Sequence, residues 1–386
     1  MGTLVSGLTP VDMISCPHPG LPHLLDLGSP DPEVRLKGAH HLLRQLAKPG
    51  QLKQFCAHRV NPLLYQRLIG FRREELGNIP HFQELRQSYI RALRYYTHQK
   101  REIRRLLEVL AQAEVEVILL KGADVRHRLY EDPAVRLMDD VDILVAPEKV
   151  PQVRAALTRH AYFLRPMDLD LQPRFQERFG WVISFDSPSR GLLVDVHWEI
   201  REAGTLYRLP YGPLRQRAQF LSLAGQPALV LAPEHLLMHL CLHAFDEWDT
   251  GTMLKVVDLD LTLRLLPINW NLFLEEASTF GLLGPLSLVL GAMEHLRPGA
   301  VPEEVLGHMA AYRPGLAESF VLRRGKMALG VASLLAVWRF LPLKAWPSYI
   351  KGKVWPSSAY LKANSRDFAN RRAYLRHLWR RSKART

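Results

Sequence analysis

The chain has 386 residues, of which 47% are hydrophobic and 23% charged, and a net charge of +13. That length suggests two or three domains, and the composition excludes a disordered polymer. The positive balance selects anionic partners (nucleotides, nucleic acid or an acidic membrane surface) without choosing among them.

Cys16, Cys56 and Cys241 are scattered and odd in number. They argue against a disulfide framework and a zinc site and fit a reducing compartment. There is no basic start leading into an apolar core, as a signal peptide requires. No apolar run reaches the ~18 residues of a spanning helix. The nearest, Met327 to Leu343, is interrupted by Arg339. A cytoplasmic protein is expected.

Residues 1–30 are rich in Pro and Gly and read as a leader with little regular structure. Residues 31–113 form an N-terminal helical region. Pro32 sits at a plausible helix start, and a long helix is predicted from His81 to Ala113. One face of that helix carries Arg86, Arg91, Arg94, Lys100, Arg101, Arg104 and Arg105, which reads as a solvated surface in preference to an RNA-binding one.

An α/β core is predicted over 114–232. It contains a strand at Val115–Leu120, a helix at Ala123–Tyr130, a strand at Asp140–Val145 and a helix at Pro147–His160. Phe179–Phe185 and Leu192–Trp198 flank the turn-forming D-S-P-S-R-G and read as a hairpin, with a short strand near Ala228–Leu231. A helical domain is expected over 233–350, with segments at Glu234–Phe245, Met253–Leu266, Asn271–Phe280, Leu283–Leu296 and Pro302–Tyr312. Residues 351–386 form a basic tail of eleven Lys and Arg with one acid, Asp367, interleaved with aromatic residues. Nucleic-acid binding, an anionic membrane and a solvated helix all suit the tail, and the last is favoured. The fold class is therefore α+β: a small mixed sheet with helices, flanked by helical regions.

The chemistry gathers in the core. A strand over Asp140–Val145 puts Asp140 and Asp142 on one face and Val141 and Ile143 on the other. Paired acids on a half-buried strand repel one another unless a cation is present. Asp195, between Val194 and Val196 in a second apolar strand, supplies a third carboxylate. Three such oxygens suit Mg²⁺, with Mn²⁺ as the alternative. Upstream, Lys121-Gly122 falls between a strand and a helix, where a glycine and free helix N–H groups can cradle a phosphate. Lys121 and Arg136 can add positive charge to that cradle, or can pair with the acids. Asp124 fits a phosphate loop poorly unless it points away, and Asp139 falls on the opposite strand face from the pair.

His197 shares a face with Asp195 and reads as a packing or supporting residue. His239 and His243 stand four apart on a helix but lack the Glu of a zinc-protease motif, so they read as structural. Lys255 and Asp258 have the spacing of an intrahelical ion pair or could meet substrate.

L-L-K-G-A, then R-x-x-x-D-V-D-I-L-V, then V-D-V-H-W resemble the uncharacterised nucleotidyltransferase family 5 of the DNA polymerase β-like superfamily. A-H-R-V-N-P-L-L-Y, E-H-L-L-M-H-L-C-L-H, V-V-D-L-D-L-T-L-R-L and W-P-S-S-A-Y-L-K are also similar, so the resemblance spans residues 35–380. It implies a minimal nucleotidyltransferase fold and metal-dependent transfer of a nucleoside monophosphate from a nucleoside triphosphate, ATP among the candidates. Asp140 and Asp142 would be its Asp-x-Asp metal ligands and Asp195 its third catalytic carboxylate. Gly122 stands at its phosphate-binding Gly-Ser, with Ala123 replacing the serine. The acceptor would be a small molecule or a protein. A catalytically inactive nucleotide-binding scaffold and an RNA-directed transferase are the alternatives.

Overall fold

The structure is a computed structural model and describes residues 19–165, 175, 179–202, 207–246, 253–316, 318–319, 322, 342–364 and 370–376. Among the described residues six helices come first: α1 (Leu21–Asp26), α2 (Pro32–Leu46), α3 (Gln51–Ala57), α4 (Asn61–Leu68), α5 (Arg73–Leu76) and α6 (Phe82–Gln112). The Asp31 side chain accepts from Glu33 N–H at 2.8 Å and caps α2, and Pro32 follows in the first turn. Helix α1 lies inside the stretch expected to be irregular. Its Pro/Gly surroundings masked the spacing of Leu21, Leu24 and Leu25, which are buried in the core.

The sheet has seven strands among the described residues, in the order β3-β4-β5-β2-β1-β9-β8. These are β1 (Ile118–Leu119), β2 (Asp140–Leu144), β3 (Phe163–Leu164), β4 (Val182–Asp186), β5 (Leu193–His197), β8 (Gln219–Leu223) and β9 (Gln226–Val230). A separate hairpin joins β6 (Ile200–Glu202) to β7 (Tyr207–Leu209). Between β1 and β2 lies α7 (Lys121–Arg128), and α8 (Val150–Arg159) follows β2 after a short 3₁₀ turn at Pro147–Lys149. Both strand pairs around β2 matter for function: β1 runs antiparallel to it and β5 parallel.

The predicted hairpin forms as β4–β5. Strand β8 was not anticipated, although it has a local signal. Ala224 and Gly225 have φ of 53° and 80°, the two left-handed residues that close a two-residue hairpin onto β9. After α9 (Tyr211–Arg217) and these strands come α10 (Pro233–Asp246), α11 (Met253–Leu265), α12 (Trp270–Phe280), α13 (Leu283–Leu296) and α14 (Glu303–Ala311), each within two residues of its predicted bounds. The segment from Met327 to Leu341 lies outside the described residues.

Two apolar clusters sandwich the sheet. Val141, Ile143, Val194 and Val196 pack with Ile103 and Leu107 of α6 and Val153 and Leu157 of α8. Helices α1–α4 and α10–α14 share the larger cluster, which also takes Ile118 and Leu144. The alternation of β2 and β5 thus sends valines and isoleucine to one layer and carboxylates toward the other. The basic residues named above on α6 are all exposed.

Candidate active site

The parallel register of β2 and β5 sets Asp142 opposite Asp195, with Asp140 opposite Leu193 and Leu144 opposite His197. All of these share the sheet face that also bears Asp140. One ligand-type atom each from Asp142, Asp195 and His197 lies within 4.8 Å of the others. Asp140 is at the mouth of the group, half-buried, and interacts electrostatically with Asp142, Asp195 and Lys121.

The three carboxyls have different electrostatic fates. Burial first, then the Asp142 charge, pushes Asp140 up to about 6. Burial works to raise Asp142 as well. The Lys121 ammonium and the His197 hydrogen bond outweigh it and hold that carboxyl well below the usual range. Asp195 is raised, chiefly by burial, against a hydrogen bond from its cross-strand neighbour Ser184. Its Oδ1 is buried and has no hydrogen-bond partner.

Lys121 Nζ donates to Asp142 Oδ1 at 3.2 Å, and His197 Nε2 is 2.9 Å from the same oxygen. The Lys121 backbone is held in the left-handed region at φ 41°, uncommon for a lysine. Leu120 N–H donates to Asp142 C=O at 3.0 Å, so the turn entering α7 is fastened to β2 just before that strained residue and again through the Lys121 side chain.

Gly122 and Arg136 meet directly. A Cβ on Gly122 would stand 2.7 Å from Arg136 Nη1, so the glycine makes room for the guanidinium. Arg136 in turn pairs with Asp258 of α11, Nη2 to Oδ2 at 2.6 Å, and Tyr130 O–H donates to Asp258 Oδ1 at 2.7 Å. Asp258 therefore serves Arg136 and Tyr130, an arrangement that its spacing from Lys255 did not announce. Gly122→Ala is expected to displace the guanidinium and cost about 1–3 kcal/mol in chemical unfolding, an overpacking effect.

A cavity of about 200 Å³ opens here, lined by Lys121, Gly122, Arg136, Asp140, Asp142, and also Arg59, Asp139, His243 and Lys255. Arg59 forks onto Asp139 with bonds of 2.8 and 2.9 Å, so that acid stands paired at the exposed edge of the cavity. Asp124 does not line it. It is fully buried and forks onto Arg128, with bonds of 2.5 and 2.7 Å. Lys255, which was expected either to pair within its helix or to meet substrate, lines the cavity, as does Arg59 of the A-H-R-V-N-P-L-L-Y segment, to which no role had been given. They reach the site from α11 and from the turn before α4, so only the tertiary fold collects them.

Second-layer contacts fix the loop that carries Arg136. Arg126 is wholly buried, donating from Nε to Arg136 C=O and from Nη1 to Gln99 Oε1, each at 2.9 Å. Beside it, burial pushes the His127 imidazole down to about 4 from an ordinary 6.5. Between those values the unfolded chain binds a proton that the fold refuses. Stability from this group is complete above pH 6.5 and is lost as pH falls toward 4, by about 3 kcal/mol. His127→Gln should flatten that part of the stability–pH curve in urea unfolding.

A mixed sheet with two carboxylates in register, beside a lysine-glycine turn opening a helix, is the layout of an enzyme acting on phosphorylated substrates. The chain belongs to a family described as uncharacterised nucleotidyltransferase, whose model matches residues 51–298, well over half its length. That span runs from the start of α3 to just past α13 and contains every site residue named above. Membership assigns nucleotidyl transfer as the general chemistry. No curated protein and no solved structure gave a match.

Proposed function

We propose that the protein moves a nucleoside monophosphate from a nucleoside triphosphate to a small-molecule or protein acceptor, releasing pyrophosphate. The reading rests on one observation above others, the β2–β5 register that sets Asp142 beside Asp195. A divalent cation fits this set: Asp195 Oδ1 is buried with no donor, and hard carboxylate oxygens suit Mg²⁺ or Mn²⁺. Asp140, Asp142 and Asp195 would hold it. When bound, it would offset charge developing on the triphosphate and the leaving pyrophosphate.

The chain's own residues supply the rest. Lys121 exchanges Asp142 for a phosphate oxygen when the nucleotide arrives, its ammonium acting as a mobile point charge at the N-terminus of α7. His197 orients the Asp142 carboxylate through its ring nitrogen. Asp195, made more basic by burial, takes the proton of the attacking acceptor group. Gly122 and Asp258 hold Arg136 beside the cavity, with Nη1 also donating to Leu137 C=O, so its guanidinium adds fixed positive charge to the phosphate side of the site.

A second reading draws on the same contacts. Lys121 and His197 both meet Asp142 Oδ1 and stabilise that acid without a metal, which suits a nucleotide-binding scaffold with no turnover. Incubation with each labelled triphosphate, Mg²⁺ and cell extract separates the two. Labelled product from wild type and none from Asp142→Asn supports transfer. Tight metal-dependent nucleotide binding without product supports the scaffold, and labelled RNA would identify a polynucleotide acceptor instead.

A further inference from the structure

We propose that the outward face of the helix at Trp346–Val354 (α15) docks the protein on an anionic lipid surface. This helix has two apolar faces, and among the described residues one of them is covered. Ala345, Tyr349 and Gly352 lie on the inner side. There Ala345 and Tyr349 belong to a small cluster with Phe175 and Phe179. Gly352 permits the approach, since a Cβ there would overlap the Phe175 ring.

The opposite side carries Ile350 and Val354, one helical turn apart, and Leu343 lies in the short 3₁₀ turn at Leu343–Ala345 that leads into the helix. These side chains are 52%, 44% and 75% exposed, and Trp355, next after Val354, is 53% exposed. An aliphatic stripe of this kind is unusual on a water-facing helix unless something covers it. Lys344 and Lys351, both exposed, flank it on one side, while Lys353 on the other is exposed with its ammonium 5.7 and 5.8 Å from the Phe175 and Tyr349 rings. Residues 342–364 contain four lysines and no acid, and 370–376 add three arginines, again with no acid. Arg371 stacks on the Trp355 ring at 4.5 Å, a pairing of aromatic and cation suited to the boundary between headgroups and acyl chains.

The chemistry selects the partner. Apolar side chains between lysines match acyl chains beneath anionic headgroups. A second copy of the chain would bring like-charged flanks together, and a nucleic acid offers the aliphatic residues nothing to bury against. Among the described residues no helix is long and apolar enough to cross a membrane, so the contact would be made in the plane of the surface. The solvated-helix reading of the tail explains its charge but not its exposed stripe.

The test is co-sedimentation of the full-length protein with vesicles of phosphatidylcholine alone or mixed with phosphatidylglycerol. Binding is expected to the anionic vesicles, to weaken with added salt, and to fall on the order of tenfold in the double variant Ile350→Asp, Val354→Asp. Both positions are exposed, and unchanged circular dichroism and melting of the variant would show that the fold survives. Absence of binding to anionic vesicles, equal binding by the double variant, or capture of duplex RNA with no capture of vesicles would each overturn the proposal.

Discussion

Asp142→Asn should abolish pyrophosphate release, lowering the rate about a thousandfold or more, equivalent to roughly 4 kcal/mol of barrier. The substitution is nearly isosteric, so the effect isolates charge from shape. Asp142 is the one carboxylate held ionised by a lysine and a histidine on a single oxygen, and it is registered against Asp195. Its neutral form would leave Asp195 to hold a cation with only the half-buried Asp140 beside it. The variant should fold but melt lower, since the carboxyl is held ionised by Lys121 and His197 and its charge therefore stabilises the fold. Circular dichroism below that melting point would separate loss of activity from loss of structure. Wild-type turnover by the variant would remove the carboxylate cluster from the mechanism.

Breaking the Arg136–Asp258 pair should produce the largest loss of stability. Asp258→Ala strands a guanidinium that is 12% exposed, facing a carboxylate position that was 2% exposed. Removing one partner of a buried pair costs about 3–5 kcal/mol because the remaining charge keeps its desolvation penalty. Tyr130 loses its acceptor in the same step. The double variant Arg136→Met, Asp258→Leu should recover much of that loss in urea unfolding, since no charge is left stranded. A double variant as unstable as the sum of both single variants would mean that the pair contributes more than mutual neutralisation. Activity separates the two roles of Arg136. The double variant should remain weak in nucleotide transfer even where it folds, if the guanidinium contacts phosphate.

Much of the candidate site could be read from local pattern. The alternation of Asp140, Val141, Asp142 and Ile143 needs only the two-residue period of a strand to divide acids from core residues. Asp195 between two valines carries the same information. Lys121-Gly122 could be placed at a strand–helix turn because glycine is the residue that lets a turn close tightly. The reason proved partly different, for Gly122 accommodates the Arg136 guanidinium as much as any anion. The misfit of Asp124 also had a local answer. Arg128 lies one helical turn later, within reach of a fork onto its carboxylate.

What pattern could not supply was long-range pairing. Nothing in the spacing of Lys255 and Asp258 tells that the acid turns toward Arg136, 122 positions earlier in the chain, because that choice depends on how α11 packs against α10, α13 and α1. Arg59 reaches Asp139 across 80 positions for the same reason. The tail divides along the same line. Its basic charge is a property of composition, whereas the exposure of Ile350 and Val354 depends on which face of α15 Phe175 and Phe179 cover.

The sequence by itself determined the α+β class, the order of most elements and the residues bearing the acids, since each follows from periodicity and turn chemistry within a few residues. Only the tertiary structure decided that Asp142 and Asp195 stand side by side, that Lys121 and His197 converge on one oxygen, and that Arg136 is clamped by Asp258. Those are contacts between segments far apart in the chain, and their energies arise from burial and strand register, which no local pattern contains.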